Sequence, residues 1–148
     1  MAPSPAKRTR QGQATGLRIL LVEDETFTRL YLQDLLRELG HSVVATAETA
    51  SEAVAAAGEH GPDLVLMDIR LAGEGDGIEA AIEIRNRLGI PLIFLTAHTD
   101  PETRRRAEAA GALEYLVKPV RVWTLQEALE RAAKAHPDKA PPDEPGRR

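Results

Sequence analysis

Cysteine is absent from the 148 residues, which excludes a disulfide framework and a thiolate metal site and is in keeping with a reducing cytoplasm. Aromatic residues are scarce: two Phe, two Tyr and one Trp leave the core to be built mainly from Leu, Ile, Val and Ala. Long apolar runs are missing too. The longest, such as Ile90 to Ala97, fall far short of the roughly 20 residues that cross a bilayer, so no membrane association is expected. The start has no leader pattern, because Lys7, Arg8 and Arg10 are followed by the polar and small residues Gln11 to Gly16, not by an apolar segment.

What is present fits one soluble domain, with 43% hydrophobic residues in a chain long enough for a single sizeable core. The formal charge of -4 is uneven: residues 1–16 carry three basic and no acidic side chains, while residues 17–134 carry 13 basic and 20 acidic ones. An acidic body repels a nucleic-acid backbone, so direct nucleic-acid binding is not expected. Residues 1–16 read as a flexible tail, and residues 135–148, with four prolines and mixed charge, as a second tail or a truncated linker.

Between the tails, short apolar runs alternate with stretches of helical period. Strands are expected at Leu17 to Val22, Ser42 to Ala47, Leu64 to Met67, Pro91 to Leu95 and Leu113 to Val117. Helices are expected at Phe27 to Leu39, Ala50 to Glu59, Ile78 to Leu88, Pro101 to Ala110 and Val120 to Lys134. Thr49 and Asp100 are placed to cap two of them, the latter with Pro101 at the first helical position. Five strand–helix repeats predict an α/β fold, a doubly wound parallel sheet covered on both faces.

The chemistry lies at the strand ends. Glu23 and Asp24, Asp68, Thr96 and Lys118 each fall just past a predicted strand and converge on the carboxyl edge of the sheet, where open α/β sheets bind ligands. Carboxylates from two strand ends are hard oxygen ligands suited to Mg2+, with Mn2+ as an alternative, and their mutual repulsion calls for a cation. Lys118 supplies a point charge, Thr96 a hydroxyl and Asp68 a nucleophile, a set suited to phosphoryl transfer onto Asp68.

Four segments carry a resemblance: Ile19 to Glu25, Pro62 to Arg70, Phe94 to Ala97 and Tyr115 to Pro119. Together, in this order and spacing, they make the chain resemble the receiver domain of two-component response regulators over residues 17 to 134. The resemblance implies a five-stranded flavodoxin-like sheet of order 2-1-3-4-5. It also implies a phosphoryl donor, either a sensor histidine kinase or a histidine phosphotransfer protein, for Asp68. By the same resemblance Asp24, Asp68 and the backbone carbonyl of Arg70 would hold the metal, with Glu23 acting through water. Thr96, the N–H of Ala97 and Lys118 would receive the phosphoryl oxygens, and Tyr115 would be an aromatic switch coupled to Thr96. Lys118-Pro119 would be a cis peptide bond. Such a receiver catalyses its own phosphoryl transfer and slow dephosphorylation, and it signals through a downstream protein or a phosphorylation-dependent homodimer.

The chain departs from the common pattern after Asp68. Leu71 to Ala80 lacks the usual Pro-Gly pair and is one residue longer, with Gly73, Gly75 and Gly77 available for positive φ or a tight turn. Arg70 and His98 each lie two places beyond a site residue, where they would tune phosphoryl lifetime or simply form a solvated rim. Phe27, Leu30 and Tyr31 are candidates for kinase docking. Trp123 suits docking, dimerisation or packing on the preceding helix, and Arg104 to Arg106 read as a solvated helix face. His41, at a turn, His60 and His136 form no metal cluster. Other readings stay open: a receiver fragment of a larger regulator, a phosphorylation-independent interaction module, or a flavodoxin-like nucleotide binder, although no glycine-rich phosphate loop follows Val22.

Overall fold

Period-two alternation in the central strands sorts the core into two layers. Leu20, Val22, Val65, Met67, Leu92 and Phe94 pack into one buried cluster, while Ile19, Leu21, Leu64, Leu66, Ile93 and Leu95 pack into the other. A strand buried on both sides must be apolar throughout, which is why these segments read as continuous hydrophobic runs.

The computed structural model describes residues 8–9, 13–14 and 16–136. The expected tails fall mostly on residues 1–7, 10–12, 15 and 137–148, which lie outside the described residues; Arg8–Thr9 and Gln13–Ala14 form a short antiparallel ladder. The main sheet comprises β1 (Arg18–Val22), β2 (Ser42–Ala47), β3 (Leu64–Met67), β4 (Leu92–Thr96) and β5 (Glu114–Val117). All neighbours are parallel, in the order β2-β1-β3-β4-β5. The helices are α1 (Thr26–Glu38), α2 (Ala50–His60), α3 (Gly77–Leu88), α4 (Pro101–Ala109) and α5 (Val122–Ala135). The second cluster is closed by Leu32, Leu35 and Leu36 of α1 and Leu125 and Leu129 of α5. The first is closed by residues of α2, α3 and α4, such as Ala53, Ile84 and Ala107. The fold is therefore the expected α/β architecture, a doubly wound parallel sheet of order 2-1-3-4-5.

The boundaries hold to within one or two residues. Thr49 and Asp100 cap α2 and α4, each accepting a backbone N–H three residues on. Thr96 is the last residue of β4 and not the first beyond it, because its pairing with Val117 continues the ladder. No helix among the described residues is long and apolar enough to cross a membrane.

Candidate functional site

The ladder carries the key residues to one edge. The Asp68 N–H donates to the Val22 carbonyl at 3.0 Å, the Glu23 N–H to the Ala47 carbonyl at 3.0 Å, and the Lys118 N–H to the Thr96 carbonyl at 2.9 Å. Consecutive strand ends are thereby fixed side by side. Glu23, Asp24 and Asp68 each offer an oxygen, all within 4.8 Å of one another. Lys118 lies between two of them, its Nζ donating to Glu23 Oε1 at 2.6 Å and to Asp68 Oδ2 at 2.9 Å. The Lys118–Pro119 bond is cis.

The electrostatics favour an added cation. Burial pushes the Glu23 carboxyl above its ordinary value, further than Lys118 pulls it down, and Asp68 adds repulsion. Burial alone would lower the Lys118 ammonium, but its hydrogen bonds to Glu23 and Asp68 outweigh that and raise it. One ammonium thus serves two of the three clustered carboxylates, Glu23 and Asp68, and leaves Asp24 without a cation partner among the described residues. Asp68 Oδ1 is buried and has no hydrogen-bond partner among the described residues. An orphaned buried oxygen is costly unless something else completes it, and a hard oxygen set of this kind fits Mg2+ or Mn2+.

Thr96 is fully buried, and its Oγ1 accepts the His98 N–H at 3.2 Å. The Tyr115 hydroxyl donates to the carbonyl of the same His98. One residue therefore links Thr96 to Tyr115 through its backbone, a role its side chain did not announce. The Arg104 guanidinium lies 4.6 Å from the centre of the Tyr115 ring, so this arginine covers the switch candidate as well as facing solvent. Ala97 is exposed beside Thr96, and the Arg70 side chain is exposed within electrostatic reach of Asp100.

Phe27 and Tyr31, 80% and 56% exposed, line a largely apolar groove of about 670 Å³ together with Leu95, Lys118, Pro119 and Val120. Leu30 is half exposed on the same helix but does not line the groove. Trp123 is 60% exposed, and the Arg121 guanidinium lies 5.6 Å from the centre of its ring.

Two structural roles near the site differ from the sequence reading. Gly73 and Gly75 do adopt positive φ, but Gly77 does not; a Cβ there would come within 2.1 Å of the Asp68 carbonyl oxygen. Gly77 is thus a close-approach residue, bringing the start of α3 against the backbone of Asp68. Glu25, read only as the end of the Ile19 to Glu25 segment, caps α1 by accepting the Thr28 N–H at 2.6 Å.

This arrangement, a parallel sheet with an acidic cluster and a lysine at its carboxyl edge, defines a receiver. The response regulator receiver domain family matches residues 19–130, and the chain belongs to that family. It is 43% identical over 119 residues to the transcriptional regulatory protein PdtaR of Mycobacterium tuberculosis, covering 80% of this chain and 58% of that protein. Over 115 residues it is 44% identical to the transcriptional regulatory protein ZraR of Salmonella typhimurium, covering 77% of this chain and 26% of that protein. Among solved structures, the signal receiver domain of a modulated diguanylate cyclase from Desulfovibrio desulfuricans superimposes with a TM-score of 0.77 at 35% identity, covering 82% of this chain and 96% of that one. A CheY-like receiver domain protein from Methanospirillum hungatei gives 0.75 at 29% identity, covering 82% and 96%. Receiver membership supports a phosphorylation-based signalling switch.

Proposed function

We propose that the chain accepts a phosphoryl group on Asp68 from the phosphohistidine of a sensor histidine kinase or a histidine phosphotransfer protein. The observation that carries this reading is the state of the Asp68 carboxylate: Oδ2 is held by Lys118 while the buried Oδ1 has no partner among the described residues. Asp68 attacks phosphorus, an O–P bond forms as the P–N bond breaks, and the departing imidazole nitrogen keeps the electron pair and is protonated from solvent. Bound Mg2+ or Mn2+, held by Asp24, Asp68 and the Arg70 carbonyl with Glu23 behind them, would neutralise charge on the transferring group. Lys118 offers its ammonium to a phosphoryl oxygen. Thr96 keeps its hydroxyl proton available to another, and the Ala97 N–H lies next to it. Hydrolysis by water at the same phosphorus returns the free carboxylate, and Arg70 and His98 tune how fast.

The switch follows from the His98 linkage. When Thr96 turns toward a phosphoryl oxygen, the His98 N–H loses its acceptor, and the loop to which Tyr115 is tied must rearrange. The groove beside Phe27 and Tyr31 is the docking place for the donor, and Trp123 lies on the surface offered to a downstream protein or a second copy. The receiver unit is assigned to residues 17–134, flanked by segments 1–16 and 135–148. A second reading, a receiver governing an output segment in a longer regulator, is favoured by the partial coverage of PdtaR and ZraR.

The test is phosphotransfer with Mg2+ from candidate kinases and from a small-molecule phosphodonor, following acid-labile, base-labile label on parent and Asp68→Asn. Label is expected on the parent alone. A parent that no donor labels, or an Asp68→Asn chain that labels equally, would overturn the assignment.

A further inference from the structure

Every oxygen of Glu23 is engaged. Oε1 accepts from Lys118 at 2.6 Å, Oε2 from the Glu25 N–H at 3.1 Å, and the main-chain carbonyl from Arg29 Nη1 at 2.9 Å. The next residue, Asp24, makes no hydrogen bond or ion pair among the described residues. Its direction therefore depends on the backbone that carries it.

Resting on the metal-site reading above, we propose that Arg29 is a positioning residue for that site: it fixes the Glu23 carbonyl and so aims Asp24, with Glu48 as its strut. The Glu23 carbonyl and the Asp24 nitrogen belong to one planar peptide unit, so holding the oxygen orients the whole plane and the Cα of Asp24. The other side of that residue is already held, because the Glu23 N–H is bonded to Ala47. Arg29 is suited to the task by its planar fork: while Nη1 takes the carbonyl, Nη2 lies 3.4 Å from Glu48 in the β2–α2 connection. Its side chain is only 14% exposed, against 53% for Glu48, so the guanidinium is packed and not waving in solvent. The base of α1 is itself anchored, since the Arg29 N–H donates to the Glu25 carbonyl at 2.9 Å.

A simple charge effect gives the opposite sign. A guanidinium near a cation site repels the cation, so removing it would tighten metal binding; removing a positioning contact loosens it. Mg2+ affinity of the full chain is measured by titration calorimetry, with Mn2+ binding followed independently by electron paramagnetic resonance of the free ion. Arg29→Ala is expected to weaken binding about tenfold or more, as loss of a contact behind a metal ligand commonly does. Arg29→Lys, which keeps the charge and loses the fork, should fall between. Circular dichroism and urea midpoints establish that each variant is folded, and Arg29→Lys carries the test if Arg29→Ala is not. Asp24→Asn is the reference: if the parent does not bind, or Asp24→Asn binds like the parent, the metal-site reading fails and takes the role of Arg29 with it. If the parent binds through Asp24 but Arg29→Ala binds equally or more tightly, or Arg29→Lys matches the parent, only the positioning role is overturned.

Discussion

His41 holds the start of β1 through Nδ1, which accepts the Leu17 N–H at 2.9 Å, while Ser42 donates back to the Leu17 carbonyl at 2.9 Å. An accepting Nδ1 requires the neutral ring with its proton on Nε2; a proton on Nδ1 would face the Leu17 N–H head-on. Burial accordingly holds the imidazole well below its ordinary value of 6.5, at about 4. The sign follows from linkage: a depressed base binds its proton more readily in the unfolded chain. The contribution is then fully present above pH 6.5 and is lost progressively as pH falls toward about 4. Asn at this position supplies an acceptor oxygen near the place of Nδ1 and does not titrate. Urea denaturation of His41→Asn is therefore expected to lose part of the parent's downward slope between pH 6.5 and about 4. Equal slopes in the two proteins would remove His41 from the account.

At the scale of elements, the loop after Asp68 is tied down on both flanks. Ala72 forms an isolated parallel bridge with Thr49, and Asp76, the N-cap of α3, lies 3.1 Å from Arg106 of α4. Asp76 also makes a full capping box, accepting the Glu79 N–H at 2.9 Å while the Glu79 carboxylate accepts the Asp76 N–H at 3.2 Å. The cap and the ion pair can be separated by substitution. Asp76→Ala removes both and is expected to cost about 1 kcal/mol or somewhat more. Asp76→Asn keeps a good cap and loses the charge, so it should stay within about 0.5 kcal/mol of the parent. Urea midpoints decide, and a large loss in Asp76→Asn would mean that the bridge to α4 carries the stability. The Asp-x-x-Glu spacing of this box was there to be read in the sequence, as were the strands, whose apolar runs are forced by burial on two faces. The four strand-end groups were legible for the same reason: strand length and parallel order leave them only one edge to occupy. Arg29, Arg104 and the backbone of His98 were not. Their contacts join residues of different elements through side-chain reach or main-chain geometry, and neither leaves a period or spacing in the chain.

For the molecule as a whole, the two apolar layers supply the driving force for folding, and the carboxyl edge of the sheet works against it. Three carboxylates with ligand atoms within 4.8 Å of one another face Lys118 and, one layer behind, Arg29. Such crowding destabilises the metal-free fold and is relieved when a cation binds. Asp24 is the member without a partner among the described residues, so neutralising it relieves repulsion and breaks no contact. In chelator, Asp24→Asn is expected to be more stable than the parent by on the order of 1 kcal/mol. Mg2+ should reverse the comparison. At ten times its dissociation constant it adds about 1.4 kcal/mol to a protein that binds it only when folded, and it should add little to Asp24→Asn. Urea denaturation of both chains, with chelator and with Mg2+, gives the four midpoints needed. If Asp24→Asn is the weaker chain in chelator, repulsion at this edge is not what the fold tolerates for the sake of the site. If Mg2+ shifts both chains equally, the ion is acting elsewhere on an acidic surface and not through Asp24.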